Sequence, residues 1–270
     1  MGECHLAYHH IIGAVRPEIR TSGRDILLAS TICIRLGDCE RPGRGDSETL
    51  RLGRTPPRLW KGVRLDYGAD KPGAADAYCL GISGSSSPIY GIRTLEALVA
   101  ARVETHLVIS RSARQTIALE TRRTIEEIRA LAHTVYDDRH MAAAISSGSF
   151  HTDGMIVAPC SMKTVAAIAY SFSADLLARA ADVTLKEDRK LILVPRETPL
   201  HLGHLRNLVR AAEIGAIILP PVPAFYHAPQ SVDDLINHTI GKILDQFNIP
   251  HNLFRRWTGR PPGDATPQGT

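Results

Sequence analysis

The chain has 270 residues, 44% of them apolar and only 5% aromatic, with 32 Lys and Arg against 28 Asp and Glu and a formal charge of +4. That is ample material for a large buried core, while the mild charge and few aromatics exclude a polybasic or base-stacking nucleic-acid binder. No apolar run reaches the length of a membrane span, and five cysteines at positions 4, 33, 39, 79 and 160, odd in number and without a CxxC pair, exclude a disulfide framework or zinc ribbon.

Residues 1–75 are rich in turn signals, including Arg41-Pro-Gly-Arg-Gly-Asp46 and Arg54-Thr-Pro-Pro-Arg58, and read as a poorly structured extension or linker. The first residues show no basic region followed by an apolar one, so a cytoplasmic setting is expected. From Ala77 the texture changes. Residues 77–82 form an apolar strand that runs into Gly81-Ile-Ser-Gly-Ser-Ser-Ser-Pro88. Ser85, Ser86 and Ser87 are candidate N-caps, and Pro88 suits the first helical position. Such a loop aims free N–H groups and a helix dipole at one spot, which suits an anion; a plain strand-to-helix turn is the equal alternative.

A second strand spans 105–109 and ends at Ser110, followed by helices over 112–122 and 125–132. Residues 154–158 form a strand that Pro159 is expected to stop, and Ser161-Met-Lys-Thr164 opens another helix, 163–171. A helix over 174–181 precedes the strand 190–195, after which Arg196-Glu197 stands at a buried strand end, where a charged pair marks a site more often than packing. A helix over 202–214, a strand over 216–219 and a helix capped by Ser231 and running to Phe247 complete the pattern. Strands without polar alternation, separated by helices, indicate a mostly parallel α/β sheet covered on both faces, with ligands at the carboxyl ends of the strands. No HExxH or G-x-S-x-G motif is present, and the pair His201 and His204 lacks further ligands, so no metal is expected.

The ordered set Gly-Ile-Ser-Gly84, Ala158-Pro-Cys-Ser-Met-Lys-Thr164, Arg179-Ala-Ala-Asp182 with Lys186, Leu193-Val-Pro-Arg-Glu-Thr-Pro199 and Pro223-Ala-Phe-Tyr-His-Ala-Pro-Gln-Ser231 resembles the UbiX-type flavin prenyltransferases, across residues 76–258. The resemblance implies a Rossmann-like or flavodoxin-like three-layer fold and a metal-independent transfer of a dimethylallyl group from dimethylallyl phosphate to N5 and C6 of reduced FMN. The prenylated FMN would serve a UbiD-type decarboxylase. It also implies a homododecamer with sites shared between subunits.

By the same resemblance Gly84, Ser85, Ser86, Ser110, Ser161, Met162, Lys163, Thr164 and Arg196 form the flavin set. Arg179, Lys186, Tyr226 and Lys242 form the clamp on the substrate phosphate, Arg179 serving a neighbour's pocket. Glu197 resembles the acid that protonates the departing phosphate; Ser86 and Glu120 resemble the proton-handling groups near N5, and Trp257 closes the pocket. Ser87 stands where relatives have glycine, so a positive φ there would strain it. Lys242 stands where some relatives have Arg. An FMN-dependent decarboxylase and a flavin-binding accessory subunit are the alternatives. Peptidyl-cysteine decarboxylases of this fold use a His near the first loop and an Asn-rich motif, whereas here no His lies between His10 and His106 and no Asn precedes Asn207. Residues 259–270 read as a flexible tail.

Overall fold

The computed structural model describes residues 76–257 and 259. The expectations for residues 1–75, for residue 258 and for most of the C-terminal tail lie outside the described residues. Six strands alternate with seven α-helices: β1 Ala77–Ile82, α1 Ile89–Ala100, β2 Glu104–Ile109, α2 Arg111–Glu120, α3 Ile125–Leu131, β3 Thr134–Tyr136, β4 Gly154–Cys160, α4 Met162–Ala169, α5 Leu176–Lys186, β5 Lys190–Pro195, α6 Leu202–Glu213, β6 Ile217–Ile218 and α7 Val232–Gln246.

All pairings are parallel, in the order β3-β2-β1-β4-β5-β6. The strands are apolar on both faces because both are covered. Tyr78, Leu80, Ile82, Leu107, Ile109, Ile156, Ile192 and Val194 pack with α1, α2, α3 and α7. Their sequence neighbours Cys79, Val108, Met155, Val157, Leu191 and Leu193 pack with α4, α5 and α6. The expected three-layer α/β architecture is therefore present, with the Rossmann strand order.

Three local expectations are corrected. Pro159 does not end β4, which continues to Cys160 through a register shift after Val157. Lacking an N–H, Pro159 contributes only its carbonyl, and that oxygen turns to Ser83 instead of the ladder. None of the serines at 85–87 caps α1: Pro88 occupies the N-cap position without a side-chain bond. The short strand β3 escapes the apolar pattern because its three residues are all half-buried at the sheet edge.

Helix α1 lies close against the sheet at Gly91. A Cβ there would stand 2.2 Å from the carbonyl oxygen of Ala158 and 2.9 Å from Ile82. Neither the backbone oxygen nor the buried Ile82 can yield cheaply. Gly91→Ala is therefore expected to cost about 1–3 kcal/mol of stability. A thermal melt matching the wild type would contradict this close approach.

Candidate functional site

Strand order reverses between β1 and β4, and their carboxyl ends open the crevice where parallel α/β sheets place ligands. Ser83, only 1% exposed, joins the two loops there. Its hydroxyl donates to the Pro159 carbonyl at 2.8 Å and accepts the Ser161 N–H at 2.7 Å. The Ser85 hydroxyl donates to the Arg196 carbonyl at 2.7 Å, and the Arg196 N–H donates to the Cys160 carbonyl at 3.2 Å. The ends of β1, β4 and β5 are thus stitched into one rim.

Three helices start on this rim. Ser110 caps α2, accepting the Ala113 N–H at 3.1 Å, and Ser161 caps α4, accepting the Thr164 N–H at 3.3 Å. Helix α1 starts uncapped by any side chain. Gly84 lets the first loop abut α2, since a Cβ there would meet the Ser112 hydroxyl at 2.2 Å. Met162 is buried, Lys163 exposed and Thr164 half-buried, its hydroxyl 3.0 Å from that of Ser161. Converging N-termini and the half-buried Arg196 give this rim a positive potential suited to an anion. Hydroxyls at Ser86, Ser110, Ser161 and Thr164 can serve the polar body of the same ligand, so the donor set fits a flavin mononucleotide.

The structure brings Glu120 to this rim from the last turn of α2. Its carboxylate accepts the Ser87 N–H at 2.7 Å, one residue from Ser86. Ser87 adopts φ 69°, the left-handed conformation that glycine takes without cost. Glu197 is exposed next to Arg196, its carboxylate accepting the Thr198 N–H at 3.2 Å.

The four expected clamp residues separate into two groups. Tyr226 and Lys242 lie around α7. The Tyr226 hydroxyl is 2.9 Å from His238 Nε2, and its ring meets Trp257 edge-on at 6.0 Å. Lys242 pairs with Asp245 at 3.5 Å. Arg179 instead donates to the Ser146 carbonyl at 3.1 Å and to Asp182 at 2.9 Å. Lys186 ends α5 and pairs with Glu187. Neither bonds to a rim residue of its own chain.

Four residues escaped the sequence reading. They are Ser83, Tyr90, Asp138 and His238. The Tyr90 phenol is pushed up chiefly by burial, with Thr239 and the charge of Arg196 opposing. Asp138, 8% exposed beyond β3, is pushed up by burial and Asp175, with the N–H groups of Arg111 and Leu177 opposing. Ser83 lies inside the Gly-Ile-Ser-Gly84 motif and Asp138 inside the polar run Asp137-Asp-Arg-His140, and no local pattern names the distant partner of any of the four. Among the described residues no group of three or more His, Cys, Asp or Glu side chains is placed to hold a metal ion. No described helix is long and apolar enough to cross a membrane.

Residues 73–244 match the family model described as Flavoprotein. Flavin prenyltransferase UbiX of Salmonella typhimurium is 58% identical over 183 residues, which are 67% of this chain and 97% of that protein. A UbiX protein crystallised with FMN and dimethylallyl pyrophosphate is 48% identical, with a TM-score of 0.68 over 69% of this chain and 100% of that one. A dodecameric FMN-dependent UbiX-like decarboxylase from Escherichia coli is 47% identical, with a TM-score of 0.66 over 68% and 100% of the two chains.

Ser87→Gly relieves the left-handed strain and leaves the backbone bond to Glu120 in place, so stability should rise by up to about 1 kcal/mol; an unchanged or lower melting temperature would refute this. Asp245, bonded by Arg256 and then His251, is held down to about 2. A depressed carboxylate stabilises the fold above its ordinary range and loses that contribution as pH falls. Wild-type stability should therefore drop between about pH 4 and pH 2. Asp245→Asn should flatten that drop in denaturation curves, and an equally steep loss in the variant would contradict it.

Proposed function

The chain belongs to the Flavoprotein family and, within it, to the UbiX-type flavin prenyltransferases; from that premise we propose that it transfers a dimethylallyl group from dimethylallyl phosphate to N5 and C6 of reduced FMN. The observation that carries this reading is the convergence of three helix N-termini, Arg196, Ser86 and two carboxylates on one rim.

Bound reduced FMN supplies the nucleophilic N5 and C6. Gly84, Ser85, Ser86, Ser110, Ser161, Met162, Lys163, Thr164 and Arg196 bind and orient it, their backbone N–H groups and the guanidinium neutralising its phosphate. As the carbon–oxygen bond of the allylic phosphate breaks, charge collects on the leaving oxygen. Glu197, exposed beside Arg196, donates a proton there. Lys242 on α7 and Tyr226 in the loop before it stabilise the same charge. Glu120, held at the Ser87 N–H, would work with Ser86 to take up the protons released at N5 and C6 and to return one to the allylic C=C bond, which opens as its tertiary carbon bonds C6. Trp257 shields the five-carbon chain from water.

Arg179 and Lys186, which bond away from the rim in one chain, join the clamp of a neighbouring subunit in a homododecamer. Exposed Leu202, Leu205 and Val209 at helical spacing on α6, with Tyr170 and Phe172 after α4, give the apolar surface such an assembly covers. A cavity of about 330 Å³ lies on the same side, lined by Lys163, Thr164, Tyr170, Phe172 and Asp175. The prenylated FMN passes to a UbiD-type decarboxylase. The setting is cytoplasmic, in keeping with the free, buried thiols of Cys79 and Cys160.

Purified protein incubated with reduced FMN and dimethylallyl phosphate should yield, by mass spectrometry, a flavin heavier by one C₅H₈ unit. No such mass from folded, FMN-bound protein would sink the proposal. The same incubation with an aromatic carboxylic acid in place of the allylic phosphate tests direct decarboxylation. Glu197→Gln should keep FMN affinity and lose about 10²- to 10⁴-fold in turnover; undiminished turnover would remove its role as acid.

A further inference from the structure

We propose that His238 is a positioning residue that turns the Tyr226 hydroxyl into a donor toward the phosphate of the allylic substrate. The inference rests on the prenyltransferase reading, in which Tyr226 meets that phosphate. His238 lies on the inner side of α7, 9% exposed, with Nε2 2.9 Å from the Tyr226 oxygen. Tyr226 is 41% exposed, and its hydroxyl has no partner other than His238 among the described residues, which leaves it a bond to give a ligand.

A phenol carries a single hydrogen. If Nε2 accepts it, only oxygen lone pairs face an incoming phosphate, and the contact is repulsive. If Nε2 carries the hydrogen and donates, the phenol is free to donate to the phosphate. Binding a phosphate at Tyr226 therefore requires the Nε2–H form of His238.

The surroundings limit the ring to one such choice. The His227 ring lies parallel to it at 5.0 Å and the Phe254 ring packs against it at 4.8 Å. Burial pushes His238 below its ordinary value, the charges of His227 and Lys242 push the same way, and Asp245 opposes. A neutral ring has one N–H to place, and its position sets the direction of the Tyr226 bond. His227 does not compete for it: both its ring nitrogens are buried without a partner among the described residues, and its ring stacks instead.

The test compares wild type, His238→Phe, His238→Gln and Tyr226→Phe as assembled, FMN-loaded enzymes. Each is assayed for KM and kcat with dimethylallyl phosphate and for FMN affinity by flavin absorbance. His238→Phe and Tyr226→Phe should each raise KM by about 10- to 100-fold, the effect of one hydrogen bond to a charged group. Both should leave FMN affinity unchanged. His238→Gln, whose amide can donate, should recover most of the loss.

An unchanged KM in His238→Phe beside a raised KM in Tyr226→Phe would overturn the role of His238. A glutamine variant as impaired as the phenylalanine one would overturn the donor requirement. An unchanged KM in Tyr226→Phe would overturn the proposal while wild-type prenylation kept the prenyltransferase reading intact; only the missing C₅H₈ mass removes that reading. A neutron structure of the wild type with inorganic phosphate bound needs no variant. Hydrogen on Nε2 supports the proposal, and hydrogen on Nδ1 alone overturns it.

Discussion

The hydroxyl of Ser83 is the joint on which the site depends. A loop that presents free N–H groups to an anion cannot spend them on the sheet ladder, so something else must hold it. Ser83 does this by donating to the Pro159 carbonyl and accepting from the Ser161 N–H. One buried side chain thereby fixes the loops after β1 and β4 relative to each other, across the point where strand order reverses. Ser85 extends the same rim to β5 through the Arg196 carbonyl.

On that rim the positive potential comes mostly from backbone. Helix N-termini at α1, α2 and α4 are fixed dipoles that lose no side-chain entropy when a ligand binds. Carboxylates can then sit close by without cancelling the site. Glu120 is held by the Ser87 N–H, and Glu197 stays solvated at the edge. The second half of the site hangs on α7. There Tyr226, His238 and Trp257 form an aromatic group.

Some of the site was legible because its signals are local. Ser110, Ser161 and Ser231 each precede an apolar-periodic stretch and each caps its helix through an N–H three residues on. The serines at 85–87 carry the same local signal and cap nothing. Ser85 is drawn to Arg196, 111 residues away, and Ser87 turns left-handed so that its N–H meets Glu120, 33 residues away. Ser83 stands one residue past the predicted strand, in the Gly/Ser loop, and its partners Pro159 and Ser161 lie 76 and 78 residues along the chain. Tyr226 was readable from the resemblance, but His238, which sets its hydrogen bond, was not. A lone histidine on a half-apolar helix has no pattern of its own.

The sequence by itself determined the layered α/β architecture and the family. Burial on both faces of a strand is written as an uninterrupted apolar run, and helix starts are written as caps, both within a few residues. Tertiary structure alone decided the strand order that opens the crevice, the arrival of Glu120 beside Ser86, and the separation of Arg179 and Lys186 from the rim. Those features rest on pairings between distant segments, where the partner is chosen by packing geometry and burial. A local pattern of residue types carries no record of that choice.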